Sequence, residues 1–248
     1  MKVTVITVCF NSASTLGRTL TSVFDQDYKN FEYIVIDGGS SDGTLDILDS
    51  FRSSLHCVIS EPDKGIYDAM NKGLERATGD IVCFLNADDE YATQDVFSRV
   101  VGIMSKGGTD ALIGDVDFFH EKNPNRIVRR YRSGRFKPSR LAWGWMPAHP
   151  AFFLRREIYQ RVGEFDTSYR IAGDFEHIVR VFSESTLHYR YCSKVLVRMQ
   201  TGGVSTSGWK SKVLLNREVL RACRENGVST NIFKVLSKYP LKLMELFL

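Results

Sequence analysis

Four short apolar runs, at residues 3–8, 31–36, 55–60 and 81–85, alternate with three stretches of helical periodicity. The first stretch, 14–25, places Leu16, Leu20, Val23 and Phe24 on one face. The second, 44–51, carries Leu45, Ile47 and Leu48, and the third covers 67–77. Turn formers sit at the joints: Ser41-Asp42-Gly43 opens the second helix and Thr78-Gly79 stops the third. This β-α-β-α-β-α-β order predicts a mostly parallel α/β sheet with helices on both faces, because parallel neighbours need a crossover. Ligands of such sheets bind beyond the carboxyl ends of the strands. Asp37, the Glu61-Pro62-Asp63 turn and Asp88-Asp89 all follow strand carboxyl ends, so the order draws these acids towards one crevice.

After Asp89 the pattern loosens. Strands are expected at 111–119 and 187–197, an apolar segment at 152–154, and helices at 156–162 and 175–182. An amphipathic helix at 210–226 is closed by Gly227. The 248 residues, 43% of them hydrophobic, suffice for one sizeable core, or for a core and a small lobe. A net charge of +4 does not by itself imply nucleic acid, and none is expected as a partner. Its distribution says more. Residues 122–156 contain no Asp or Glu, but hold Arg126, Arg129, Arg130, Arg132, Arg135, Lys137 and Arg140. That stretch is either a solvated loop or a surface that meets phosphates or an anionic membrane face.

The five cysteines have no CxxC spacing, which suits buried thiols in a reducing compartment rather than disulfides or zinc. The N-terminus reads as a strand, not a signal peptide, and no run is long enough to span a bilayer. A cytoplasmic location is expected. The segment 232–248 mixes lysines with bulky apolar residues. It is either an interfacial helix touching the cytoplasmic face of the inner membrane or a helix packed on the domain or a partner.

Asn86-Ala87-Asp88-Asp89 directly follows the fourth strand. Two adjacent carboxylates there are costly to keep ionised without a cation or donors. A divalent metal bridging a phosphorylated ligand would compensate them; an acidic helix start is the alternative.

These motifs resemble the family 2 glycosyltransferases, which have the GT-A fold. The resemblance rests on Val3-Thr4-Val5-Ile6-Thr7-Val8-Cys9-Phe10-Asn11, on the turn from Val35 through Asp37 to Thr44, and on Leu85-Asn86-Ala87-Asp88-Asp89. The run Ser60-Glu61-Pro62-Asp63-Lys64-Gly65-Ile66-Tyr67-Asp68-Ala69-Met70-Asn71-Lys72-Gly73 is similar to bacterial enzymes that build O-antigen and colanic acid. That similarity extends through Ala148-His149-Pro150 and Gly163-Glu164-Phe165-Asp166. Two positions depart from the pattern: Asn86 stands where the first acid of the DxD region is usual, and Gly38 where a second acid follows Asp37.

The resemblance implies a catalytic domain over 1–208, with a nucleotide-sugar half at 1–100 and an acceptor half at 101–208, and a helical segment at 209–248. It implies a UDP-sugar donor bound by Val8, Asn11, Asp37, Asp63, Asp68, Asn86 and Asp88. Asp37 would take the uracil N3–H, unless it only closes an Asx-turn. Asp68 and Lys72, four apart, also fit a plain ion pair. Mn²⁺ or Mg²⁺ would rest on Asp88 and Asp89 and stabilise the departing diphosphate. Asp174 would be the general base of an inverting transfer, with Glu176 as runner-up; a helix N-cap is its alternative role. His177 is expected to be structural. His149 and Trp145 are candidates for acceptor or phosphate contact, with packing as the alternative, and Gly203 and Ser205 for a turn over the donor phosphates. The acceptor would be a saccharide on undecaprenyl diphosphate. Two rival readings are a sugar-nucleotide nucleotidyltransferase and an inactive nucleotide-sugar-binding module. The first needs a Gly-rich, basic loop after strand one, where Cys9-Phe10-Asn11-Ser12 stands.

Overall fold

The computed structural model of the chain describes residues 1–202, 208–237 and 239. Strands β1 (Val3–Cys9), β2 (Phe31–Asp37), β3 (Cys57–Ser60) and β4 (Ile81–Phe84) alternate with helices α1 (Leu16–Phe24), α2 (Thr44–Ser50) and α3 (Ile66–Arg76). These four strands are parallel and lie in the order β3-β2-β1-β4. The chain steps outward from β1 to β3 and returns to the other side of β1. The gap between β1 and β4 is therefore a topological switch point, where a sheet of this kind leaves a crevice.

The second half extends the sheet. It contributes β5 (Glu90–Tyr91), α4 (Val96–Met104), β6 (Ala111–His120), β7 (Asn123–Tyr131), β8 (Phe152–Arg155), α5 (Arg156–Val162), α6 (Gly173–Ser183) and β9 (Tyr189–Gln200). Helices α7 (Gly208–Glu225) and α8 (Ile232–Leu236) follow. β8 runs antiparallel between β4 and β6, β9 lies parallel to β6, and β5 closes that edge. The reversal of β8 matters for the site. It brings the loop before β8, with His149, to the carboxyl end of β4.

Every residue of β1 is buried, which is why it reads as a continuous apolar run. Alternate residues serve two cores. Ile6, Ile34, Ile36, Val82 and Phe84 face α3, α5, α6 and α7. Val5, Tyr33, Val35, Ile81 and Cys83 face α1, α2 and α4. Leu16, Leu20 and Val23 of α1 are fully buried, each worth about 1.5–3 kcal/mol. Helix α3 lies especially close to β1: a Cβ on Gly73 would come within 2.5 Å of the Ile6 side chain. The five cysteines are free, as expected.

Two elements depart from the sequence reading. Residues 123–131 form a strand on the edge of β6 rather than a loop. Its side chains are mostly exposed, so no apolar alternation marks it. Arg130 pairs there with Asp117 at 2.7 Å, and Arg129 lies over the Phe118 ring at 4.5 Å. Helix α4 went unread, although Val96, Val100 and Met104 repeat at helical spacing and are buried.

Candidate active site

The carboxyl ends of β1, β2 and β3 build one wall of the crevice. Asn11 adopts a left-handed backbone (φ 49°), and its amide side chain accepts from Ser41 N at 2.9 Å while its own N–H reaches Ser40 Oγ at 2.7 Å. This ties the β1 turn to the β2 turn. Val8 is buried in the core behind it. Asp37 is fully buried, and Oδ2 accepts from Gly39 N (3.1 Å), Ser40 N (3.0 Å) and Ser60 Oγ (2.7 Å). Ser40 Oγ also donates to its Oδ1. Burial raises the carboxyl, but these donors outweigh it and hold it below the usual carboxylate range.

Asp63 is differently placed. Oδ1 accepts from Gly65 N at 2.8 Å, while Oδ2 lies 2.5 Å from where a Cβ of residue 38 would stand. Gly38 is what lets this carboxylate lean over the turn. Phe10, 63% exposed, borders the same spot, 3.5 Å from that Cβ position. Sequence reading passed over Phe10; its place just beyond a buried strand was the available signal. Asp68 accepts from Lys64 N at 3.0 Å and faces Lys72 at 3.6 Å, with Lys72 reaching Glu61 at 2.7 Å. It braces the 61–68 loop.

The loop after β4 carries the acidic cluster. Asp88 is half-buried, and no side chain among the described residues donates to its carboxylate or pairs with it. Burial pushes its pKa up, only partly offset by the Arg18 charge. Asp89 is buried; Asn86 Nδ2 donates to Oδ2 at 3.1 Å. Its Oδ1 makes no hydrogen bond, although the Gln200 backbone lies near enough to favour the charge. Burial and the Asp88 charge push Asp89 far up. Two carboxylates short of positive charge fit one hard divalent cation, which takes few protein ligands and completes its shell with phosphate and water. Among the described residues no group of three or more His, Cys, Asp or Glu forms a fuller metal cage.

The opposite wall comes from β8 and α6. His149 is buried and stacks on Phe84 of β4 at 5.6 Å. Burial lowers its pKa, with Asp174 pulling the other way, so the imidazole is neutral at pH 7. Asp174 lies in the first turn of α6, half-buried. Oδ1 accepts from Phe175 N at 2.7 Å and from Tyr67 O–H at 3.5 Å. Burial raises its pKa, the condition of a carboxylate that gains by taking a proton. The N-cap position belongs to Ala172, without a side-chain cap. Asp174 is thus not the N-cap, although it takes a first-turn N–H, and the segment just before the helix is held from α7: Glu218 accepts from Arg170, Ile171 and Ala172 N at 2.8–2.9 Å. The sequence places Tyr67 in the third helix but does not show its contact with Asp174. Its ring lies where a Cβ on Gly173 would come within 2.7 Å, so Gly173 makes room for it.

Glu176 forms a bidentate pair with Arg180 at 2.8 and 2.9 Å, which removes it as a free base. His177 is buried and stacks on Tyr159 at 4.9 Å, a packing residue as expected. Trp145 is half-buried under Arg140, 6.0 Å from its ring. Gly203 and Ser205 lie outside the described residues, as do 238 and 240–248 of the C-terminal segment.

Comparison with known proteins bears on the fold and the family. The profile for Glycosyl transferase family 2 matches residues 4–163. A PGL/p-HBAD biosynthesis glycosyltransferase of Mycobacterium bovis is 32% identical over 208 residues, covering 82% of this chain and 78% of the relative. Its name points to neither O-antigen nor colanic acid. S. aureus TarS 1-349 in complex with UDP-GlcNAc superposes with a TM-score of 0.68 at 18% identity, over 90% of this chain and 66% of that one. Mannosyltransferase PcManGT from Pyrobaculum calidifontis, in complex with GDP-Man and Mn²⁺, gives 0.67 at 20% identity, over 95% of this chain and 68% of that one. The chain spans 40% of the longer S. aureus TarS chain. A mostly parallel GT-A sheet, a crevice at its switch point and the family match lead to one conclusion: the chain belongs to glycosyl transferase family 2 and is a glycosyltransferase.

Proposed function

We propose that this glycosyltransferase moves a hexose or N-acetylhexosamine, with inversion, from a UDP-sugar to a saccharide on undecaprenyl diphosphate, using Mn²⁺ or Mg²⁺. The observation that carries this is that His149 stacks on Phe84 of β4, the strand that leads into the acidic loop, and lies near enough to Asp174 for each charge to act on the other. Asp63, with Phe10 beside it, takes the uracil ring; Asp37, whose oxygens are already engaged, is the scaffold beneath. Asp88 and Asp89 would hold the metal. When bound, the cation stabilises negative charge on the leaving diphosphate. Asp174 removes the proton of the acceptor hydroxyl as that oxygen attacks the anomeric carbon and UDP departs. The Tyr67 O–H keeps Asp174 in place. Inversion needs no covalent enzyme intermediate, and a β-linkage follows from an α-linked donor.

A UDP sugar is supported by the likeness to TarS 1-349, solved with UDP-GlcNAc. The lipid carrier is supported by the 60–73 motif, whose likeness is to O-antigen-type enzymes, and by the surface around α8. Among the described residues no helix is long and apolar enough to cross a membrane. Phe233 is 82% exposed and Trp143 43%, and Lys234 lies 5.7 Å from the Trp143 ring. Aromatic rings with lysines and no acid between them suit contact with an anionic membrane surface. The test is UDP release with Mn²⁺ and a lipid-diphosphate GlcNAc mimic across common UDP-sugars. Release with one donor, lowered at least about a hundredfold by Asp174→Asn, is expected. No release with any of them sinks the proposal.

A further inference from the structure

We infer that Arg132, Arg135 and Arg140 form an anion subsite that holds the phosphate of the acceptor beside the transfer crevice. The inference rests on the lipid-phosphate acceptor proposed above. The three arginines line one small recess together with Tyr131, Phe136 and Trp145. The 3-10 turn Ser133–Arg135 sets Arg132 and Arg135 three residues apart, and such turns bring i and i+3 to the same side. Arg140 comes from the following 3-10 segment, Pro138–Trp143, and lies against the Trp145 ring. The recess holds about 10 Å³, roughly one water, so an anion sits over its arginine rim rather than inside.

All three guanidinium groups are exposed, and none is ion-paired among the described residues. Arg130, two residues before, is held by Asp117. Asp115, the buried acid whose charge Arg132 favours, already accepts from Ser133 N (2.9 Å) and Tyr191 O–H (3.0 Å). Gathering three cations with no ion pair of their own among the described residues costs stability, which is the kind of local conflict found at binding sites. Guanidinium forks match phosphate oxygens in pairs. The recess is also joined to the acceptor wall: Tyr131 O–H donates to Met146 O at 2.6 Å, three residues before His149. A phosphate here would leave the attached saccharide on the His149 side.

Phosphate could come from an isoprenyl headgroup or from free inorganic phosphate. Titration calorimetry with saturating UDP, so that the donor site is filled, separates them using farnesyl phosphate, farnesol and inorganic phosphate. Farnesyl phosphate should bind at least tenfold more tightly than either of the others. The triple variant R132Q/R135Q/R140Q should weaken it at least tenfold. K122Q/R126Q, which removes exposed charge from the same basic stretch, should change it less than twofold, with UDP affinity intact in both. Equal binding by the triple variant overturns the subsite, as does an equal loss in K122Q/R126Q. Inorganic phosphate binding as tightly as farnesyl phosphate overturns the acceptor assignment. Sugar transfer without arginine-dependent phosphate binding defeats this inference alone; the reverse defeats the transfer proposal alone.

Discussion

At the scale of single residues the chemistry turns on which carboxylates are free. Asp37 and Glu176 are engaged by their own surroundings, while Asp63, Asp88 and Asp174 each keep an oxygen for something else. Asp174→Asn should lower kcat about 10²- to 10⁴-fold and leave UDP affinity unchanged, measured by steady-state kinetics and equilibrium binding. A base at Asp174 would work ionised, and burial raises its pKa, so kcat/KM should rise with pH along a limb centred above the ordinary carboxylate value. A limb at or below that value would argue against Asp174. Gly38→Ala forces Asp63 to swing away and should weaken UDP binding by about tenfold, matching Asp63→Asn. The double variant should be no worse than either single one, because both remove the same contact. The place of Asp174 at the start of a helix was legible because the helix at 175–182 was expected just after it. The partnership of Gly38 and Asp63 was not: it needs β2 and β3 side by side, and an absent Cβ leaves no mark in a chain read linearly.

At the scale of elements the first half was readable because its strands are buried on both faces and its helices repeat cleanly. The second half was less so. β7 is an exposed edge strand, held by Arg130–Asp117 and Arg129–Phe118 rather than by apolar alternation. The brace on α6 was wholly invisible, since Glu218 lies 46–48 residues beyond the backbone it binds. Its carboxylate takes the N–H groups of Arg170, Ile171 and Ala172, the residues that set where Asp174 begins its helix. Three hydrogen bonds to a buried carboxylate contribute about 1 kcal/mol or more each. Glu218→Ala should therefore cost about 2–4 kcal/mol in urea unfolding and lower kcat while KM for the donor moves little. Glu218→Gln should recover part of both. Unchanged stability and turnover in Glu218→Ala would show that the loop holds itself.

At the scale of the whole molecule the amino end of the sheet and the acidic crevice beyond β4 are built with opposite electrostatics, Asp37 being held low by its own donors. At the amino end, Glu32 is buried, and burial alone would raise it. Lys2, Thr4 and Thr78 outweigh that and hold it down at about 2. It adds stability that is present above its ordinary pKa and lost only as pH falls towards 2. At the carboxyl end Asp88, Asp89 and Asp174 are all raised by burial. For them folding favours the protonated form, so the stability they allow is full below their unfolded pKa and declines as pH rises through the folded values. A sheet whose switch point gathers unpaired acids is thus weakest there at neutral pH, where a cation and a diphosphate would be bound. Mn²⁺ with UDP should raise Tm more at pH 8 than at pH 5. Asp89→Asn, which removes a buried charge while leaving a side chain of the same size, should melt a few degrees above the native chain at pH 8 without metal. That gain should shrink towards pH 5 and be smaller still with Mn²⁺ and UDP present. A lower Tm for Asp89→Asn at pH 8 would mean that Asn86 and Arg18 already compensate the charge, and that the acidic loop is a structural turn in which the carboxylate stabilises the fold.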